Sequence, residues 1–368
     1  MAQVRLGISL YPERSTPERD FAYMEAAAAH GFDVLFIALL GAQEGARALI
    51  ARYRPLLERA KELGFEVEAD VNPMFFDRMG VQAHFFAGAL DLSLFTELGV
   101  DVLRLDLGLA DLEEAALTKN REGIKICMNG ATLYDHPGNV LSCGGVPERM
   151  VGCMNYYPHR YTGTSLESYE MARDIWVTHN LRFQTFVSSQ SPDAFGPWPV
   201  TEGLPTLEIH RNLPITVQVK HYLLMGGVSD IVIGNAYATE GELSAMARAA
   251  RSDVVELHVE LEDGLPSHMR ALLDIPMSRR GDSRDYLIRT FETRLANKSR
   301  IEPFNTVDMA PGDVLVDNEL YGQYAGEVQI ALKPMENSGK TNVIGHVVED
   351  ELLLLDHIQG GQRFAFDL

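Results

Sequence analysis

The 368-residue chain carries 52 acidic against 32 basic side chains, a net charge of −20, with 46% apolar and 8% aromatic residues. That composition can fill a sizeable core, and the length suits a barrel of about 250 residues plus a module of about 100. The acidity argues against nucleic acid and anionic membrane surfaces as partners, and no apolar run reaches the roughly eighteen residues of a membrane span.

The first strand is read over Leu6 to Leu10. No basic segment, long apolar stretch and small-residue cleavage site precede it, so no secretory signal is expected. Three cysteines (Cys127, Cys143, Cys153) are too few for a disulfide framework, and a reducing, cytoplasmic setting is expected. Ser15-Thr16-Pro17-Glu18 predicts a helix start, with Ser15 as cap, and Gly31 ends that helix. Strand 34–37, helix 44–63, strand 65–71, a helix ending at Gly99 and strand 100–107 follow. Further strands are predicted over 124–128, 151–156, 183–187 and 231–233. Helices are predicted over 165–179, 207–224 and 239–249, with Pro214 kinking or splitting the second of these.

Apolar strands alternating with amphipathic helices predict a parallel sheet covered on its outer face. Eight such units indicate a closed (β/α)8 TIM barrel over 1–250, of class α/β. No G-x-G-x-x-G follows the first strand and no P-loop sequence occurs, so no nucleotide cofactor is expected. After residue 250 the pattern shortens to alternating runs at 254–261, 313–317, 327–332 and 342–349, separated by Gly-rich turns. This predicts a small antiparallel β-barrel over 251–368.

Barrel chemistry sits where strands end. The polar residues there are Ser9, Tyr11, Asp70, Asn72, Arg104, Asp106, Asn129, Asn155, Tyr157, Arg160, Gln190 and Asn235. Asp106 interrupts an apolar run and shares a strand face with Arg104. It reads either as a catalytic carboxylate in the barrel mouth or as half of an Arg–Asp plug, and burying such a pair for structure alone is costly. Trp198, on a proline-stiffened loop, suits stacking on a sugar ring or plain packing. Glu208 sits in the predicted first turn of a helix, where a glutamate often serves only the dipole. His159 and Arg160 could bind an anion. Cys127, Cys143, Cys153 and His159 match no compact metal spacing, so no metal is expected.

Several segments, in order, carry a resemblance. They are Leu6-Gly7-Ile8-Ser9-Leu10-Tyr11-Pro12-Glu13, Arg104-Leu105-Asp106, Asn155-Tyr156-Tyr157-Pro158-His159-Arg160-Tyr161-Thr162-Gly163 and Phe195-Gly196-Pro197-Trp198-Pro199. To these are added Gly203-Leu204-Pro205-Thr206-Leu207-Glu208, Ile233-Gly234-Asn235-Ala236-Tyr237-Ala238 and Gly312-Asp313-Val314-Leu315-Val316-Asp317-Asn318-Glu319-Leu320-Tyr321. Together they resemble the MupG family of bacterial 6-phospho-N-acetylmuramidases. The resemblance implies a cytoplasmic glycosidase with a TIM barrel and a cyclophilin-like C-terminal domain. Its implied partner is a small-molecule phosphorylated disaccharide, N-acetylmuramic acid 6-phosphate linked to N-acetylglucosamine, cleaved in cell-wall recycling.

Glycoside hydrolysis needs two carboxyl groups about the scissile bond. The expected pair is Asp106 with Glu208, with Asp70 and Glu13 in reserve and the acid unassigned. Arg160, His159 and Arg14 are candidates for the phosphate; Asn72, Asn155 and Asn235 for hydroxyls and the N-acetyl group; Trp198 and Tyr157 for stacking. Ser9, Tyr11 and Arg104 complete the mouth. Tyr321 or Glu327 could cap the site, within the chain or across a homodimer. The rivals are a sugar-phosphate aldolase or isomerase, which wants a lysine or metal in the mouth where only mid-strand Lys125 offers, and a non-catalytic carbohydrate-binding protein.

Overall fold

A computed structural model describes residues 4–39, 45–81, 90–282 and 285–368. Eight parallel strands are joined by crossover helices: β1 (Arg5–Leu10), β2 (Val34–Ala38), β3 (Glu66–Val71), β4 (Val102–Leu105), β5 (Lys125–Asn129), β6 (Met150–Cys153), β7 (Arg182–Val187) and β8 (Asp230–Ile233). β1 pairs with both β2 and β8, which closes the ring, so the (β/α)8 barrel is present.

Two local expectations shift. The first helix, Pro17–Ala29, is capped by Thr16, whose side chain accepts from Arg19 N at 3.4 Å; Ser15 instead donates to Asp20 at 2.7 Å. The helix expected over 207–224 is broken by Pro214, whose ring cannot continue it. What remains is a single turn, Glu208–His210, and a helix Ile215–Met225. The expected start of the second helix, Glu44, lies outside the described residues.

The barrel interior is polar and layered, because alternate strands point side chains to shared levels. At the N-terminal end Glu66 takes Arg5 at 2.8 Å, Lys125 at 2.5 Å and Arg182 at 3.0 Å, drawing on β1, β3, β5 and β7. Asp230 holds Arg5 and Arg182 from β8, at 2.6 and 2.8 Å. One level up, Gln184 donates to Glu68 at 3.1 Å and to Cys153 at 3.3 Å. Gly7 occupies that level on β1: a Cβ there would stand 2.8 Å from Val232 and 3.0 Å from Val34.

Burial pushes the Glu68 carboxyl up to about 8, against the pull of the Arg104 guanidinium. The folded state therefore holds a proton that the unfolded chain releases near its ordinary value of 4.5. Glu68 thus contributes stability below pH 4.5 that is lost as pH rises toward 8. Glu68→Gln has no such slope, so its stability relative to wild type is expected to climb by about 1 kcal/mol per pH unit across that window. Urea melts at pH 5, 6, 7 and 8 check this; parallel curves for the two proteins would contradict it.

Two compact units are present, Met1–Val219 with Gly226–Ala250, and Lys220–Met225 with Arg251–Leu368. The second carries β9 (Val254–Leu261), β10 (Met277–Ser278), β11 (Leu287–Arg289), β12 (Asp313–Asp317), β13 (Val328–Ala331), β14 (Thr341–Val347) and β15 (Arg363–Asp367). Their order is β10-β15-β9-β14-β12-β13-β11. The sheet is mixed rather than wholly antiparallel, since β15 runs parallel to β9. Leu315, Ala331 and Val343 centre a core against Leu287, Met309 and Met335. Glu351 is buried and satisfied by Lys220 at 2.8 Å and by His258 N at 2.7 Å. Glu327, one of the two residues expected to cap the site, is instead fully buried in this unit, against Arg289 and Arg294.

Candidate active site

The C-terminal ends of β3, β4 and β6 bring four of the expected residues into one hydrogen-bonded chain. Arg104 Nη1 donates to Asp70 at 2.6 Å and to Asp106 at 3.3 Å, and its Nη2 donates to Asn155 at 2.6 Å. Asp106 stands just past β4, where its N–H still reaches Val71 O at 2.9 Å. Arg104 and Asp70 are 3% and 1% exposed, whereas Asp106 is 35% exposed. Burial pushes the Asp70 carboxyl up to about 6, with Arg104 pulling the other way and the Asp106 charge adding to the rise. Tyr11 joins from β1: its hydroxyl donates to Gly234 O and sits beside the Ser9 and Tyr156 hydroxyls. Burial holds the Tyr11 phenol protonated.

A second cluster fastens the loop after β6. Glu208 takes Arg211 Nε at 2.7 Å and Nη2 at 2.6 Å, Tyr161 N at 2.8 Å and Gly163 N at 2.8 Å. The Arg211 hydrogen bond, aided by the two backbone N–H groups, lowers the Glu208 carboxyl to about 2. Gly163 must be glycine, because a Cβ there would fall 2.6 Å from Glu208 Oε2 and 2.8 Å from its N. Arg211, nearly buried, also donates to Tyr157 O at 2.9 Å and Glu202 O at 3.0 Å. Each Glu208 oxygen thus accepts two hydrogen bonds in this clamp.

The clamp borders a cavity of about 450 Å³ lined by Arg160, Gln190, Phe195, Glu202, Arg211 and Asn235 among others. Asp70, Arg104 and Asp106 do not line it. The 155–163 loop joins the two places, with Asn155 on the Arg104 chain and Arg160 in the cavity. Arg160 pairs with Glu202 at 2.9 Å yet stays 57% exposed. Trp198 is exposed on the rim, its ring 6.1 Å from Tyr156, which packs edge-on against Phe186 and Phe36. Arg14 secures that rim by donating to Gly196 O at 2.7 Å and to Trp198 O.

Other expected residues have these partners. Asn235 is buried with both ends of its amide on the Ser189 backbone, at 2.8 and 3.0 Å. Asn72 caps a short helix through Phe75 N at 2.9 Å. Glu13 is exposed and accepts from Tyr53 at 3.4 Å. His159 Nδ1 lies 2.6 Å from Arg160 O, and the Tyr157 hydroxyl accepts from Thr164 at 3.2 Å. Lys125 is tied to Glu66 at the opposite end of the barrel, so the mouth gains no lysine from it. Among the described residues, metal-ligating atoms gather at Glu68, Cys127 and Cys153, within 4.8 Å of one another. Cys143 and His159 are not part of that group. Burial raises the proton affinities of both Glu68 and Cys127, so protons compete there with any cation. Arg211, Glu202 and Tyr156 were not singled out from the sequence; the Glu208-x-x-Arg211 spacing was the available signal.

Residues 6–248 match the family described as 6-phospho-N-acetylmuramidase, N-terminal, and residues 255–367 match its C-terminal counterpart. The chain is 36% identical to an uncharacterized B. cereus protein of known crystal structure, over 100% of both chains, with a TM-score of 0.88. A conserved Enterococcus faecalis protein of unknown function shares the fold at 23% identity, with 99% of this chain and 96% of that one covered and a TM-score of 0.75. No curated protein matches the sequence. With both compact units matched, the chain belongs to the 6-phospho-N-acetylmuramidase family of glycoside hydrolases.

Proposed function

We propose that this chain cleaves N-acetylmuramic acid 6-phosphate from N-acetylglucosamine in the cytoplasm, as a step of cell-wall recycling. The observation that carries the proposal is the Asp70–Arg104–Asp106 chain. Two carboxyl groups in different environments share one guanidinium nitrogen at 2.6 and 3.3 Å. Those two oxygens are therefore less than about 6 Å apart, a bound that admits the roughly 5–5.5 Å of retaining glycosidases and falls short of the wider inverting range.

In this reading the half-exposed Asp106 attacks the anomeric carbon as the bond to the leaving oxygen breaks. Asp70, whose burial raises its proton affinity, gives that oxygen a proton. Water then hydrolyses the sugar–Asp106 ester and returns the proton to Asp70. Asn155 holds the sugar, with Tyr11 packed behind the site, Trp198 walls it, and Arg160 of the 155–163 loop, in the cavity it lines, meets the phosphate.

Incubating the protein with the phosphorylated and unphosphorylated disaccharides tests this. The phosphorylated one is expected to yield two free sugars at a much higher kcat/KM; a protein that binds it and releases nothing is a binding protein. Arg160→Ala is expected to raise KM about tenfold or more for the phosphorylated disaccharide and to leave the unphosphorylated one unchanged. Equal effects on both would remove Arg160 from the phosphate.

A further inference from the structure

The C-terminal unit carries a second cationic recess that the glycosidase reading does not use. Arg280, Arg289 and Arg294 line a cavity of about 420 Å³ together with Gln323 and Tyr324. An adjoining cavity of about 460 Å³ shares Arg280 and Arg294 and adds Gly281, Asp282 and Phe291. Asp282 takes Arg280 at 2.8 and 2.6 Å and Glu327 offsets a second guanidinium, so the three arginines leave one positive charge in excess, a local reversal of sign in a chain of net charge −20.

The recess is held in place from beneath. Glu327 is fully buried: its Oε1 accepts a hydrogen bond from Arg289 Nε at 2.8 Å, and its Oε2 forms an ion pair with Arg294 at 3.1 Å without a hydrogen bond. One carboxylate thus fixes an edge of Arg289 and draws Arg294 in by charge, while the two side chains stay 31% and 24% exposed toward the cavity. The backbone N–H of Arg280 donates to Arg289 O at 2.9 Å, which brings the third arginine alongside. Tyr324 lies under the pair, its ring centre 5.9 Å from the Arg289 guanidinium carbon and 5.3 Å from that of Arg294, and it is 37% exposed. Fixed guanidinium forks suit the oxygens of a phosphate, and an aromatic face beside them suits a sugar ring.

We infer that this recess binds a small sugar phosphate, with Arg280, Arg289 and Arg294 on the phosphate and Tyr324 on the ring. The choice of a sugar ester rests on the glycosidase reading, since cleavage would release one; the phosphate recognition does not.

Arg280→Ala is the decisive variant. Arg280 pairs with Asp282, which is 60% exposed, so its removal strands no buried charge, whereas loss of Arg289 or Arg294 would strand Glu327. Calorimetric titration uses inorganic phosphate, N-acetylglucosamine 6-phosphate and N-acetylglucosamine as probes. It is run on the Arg160→Ala chain, to silence the barrel cavity, and on Arg160→Ala combined with Arg280→Ala or Tyr324→Ala. In the Arg160→Ala chain, both phosphate probes are expected to bind one site that Arg280→Ala weakens at least tenfold. Tyr324→Ala is expected to weaken the sugar phosphate more than inorganic phosphate. Disaccharide turnover by the single Arg280→Ala chain is expected to stay at the wild-type rate. No binding in the Arg160→Ala chain, or binding unchanged by Arg280→Ala, overturns the assignment. Absence of disaccharide turnover in the wild type would instead count against the barrel reading, a separate readout.

Discussion

Asp106→Asn is expected to lower kcat for the phosphorylated disaccharide by about a thousandfold while leaving the fold and the affinity for intact disaccharide in place. Asparagine keeps the shape, and its carbonyl oxygen can still accept from Arg104, so nothing buried loses its partner. What it loses is the charge that attacks the anomeric carbon, and groups in such roles supply roughly 10²–10⁴-fold. Asp70 makes the accompanying pH statement. Because burial raises it to about 6, it holds the proton needed for the leaving group below that pH and surrenders it above. The wild-type rate is therefore expected to fall on the alkaline side of about pH 6. Stopped assays over pH 4–9, with calorimetric binding of the disaccharide to the variant, check both parts. A kcat within threefold of wild type would dismiss Asp106.

Glu208→Ala carries the largest expected effect on stability, about 3 kcal/mol, because it leaves the nearly buried Arg211 guanidinium without its counter-charge and two loop N–H groups without an acceptor. The folded pKa of Glu208 is lowered, to about 2 from 4.5, so its contribution is present above pH 4.5 and is lost as pH falls toward 2. The deficit of the variant should therefore shrink in acid. Removing both partners, with Glu208→Leu and Arg211→Met together, should recover part of the loss, since no unpaired charge then remains. Denaturant melts at pH 7 and pH 3 measure this. A single-variant loss below 0.5 kcal/mol would mean that the clamp is ornamental, surface ion pairs commonly contributing about that much or less.

The barrel was legible because its strand–helix alternation is regular over 250 residues, and Pro214 marked the break in the 207–224 helix by its chemistry alone. The polar interior was harder to see. In Glu66-Val67-Glu68-Ala69-Asp70-Val71 every second residue is acidic, but period two alone does not say whether that face meets water or Arg5, Lys125 and Arg182 on three other strands. The same limit governed the site. Position at strand ends picked out Asp70, Arg104, Asp106 and Asn155, which converge. It equally picked out Asn72 and Asn235, whose amides serve their own backbone surroundings. Glu208 looked like a rim carboxylate because its bond to Arg211 is local, yet the two N–H groups it also holds come from a loop about 45 residues away in sequence. In the C-terminal unit the short strands Met277–Ser278 and Leu287–Arg289 left no alternation long enough to read.

Azide rescue of an Asp106→Gly variant most directly tests whether the mouth carboxylate works on the sugar–sugar bond. A small anion that fits the vacated space should attack the anomeric carbon in its place, restoring release of N-acetylglucosamine and yielding the glycosyl azide of the phosphorylated sugar. Azide-independent hydrolysis at the wild-type rate, with no glycosyl azide formed, would contradict the assignment.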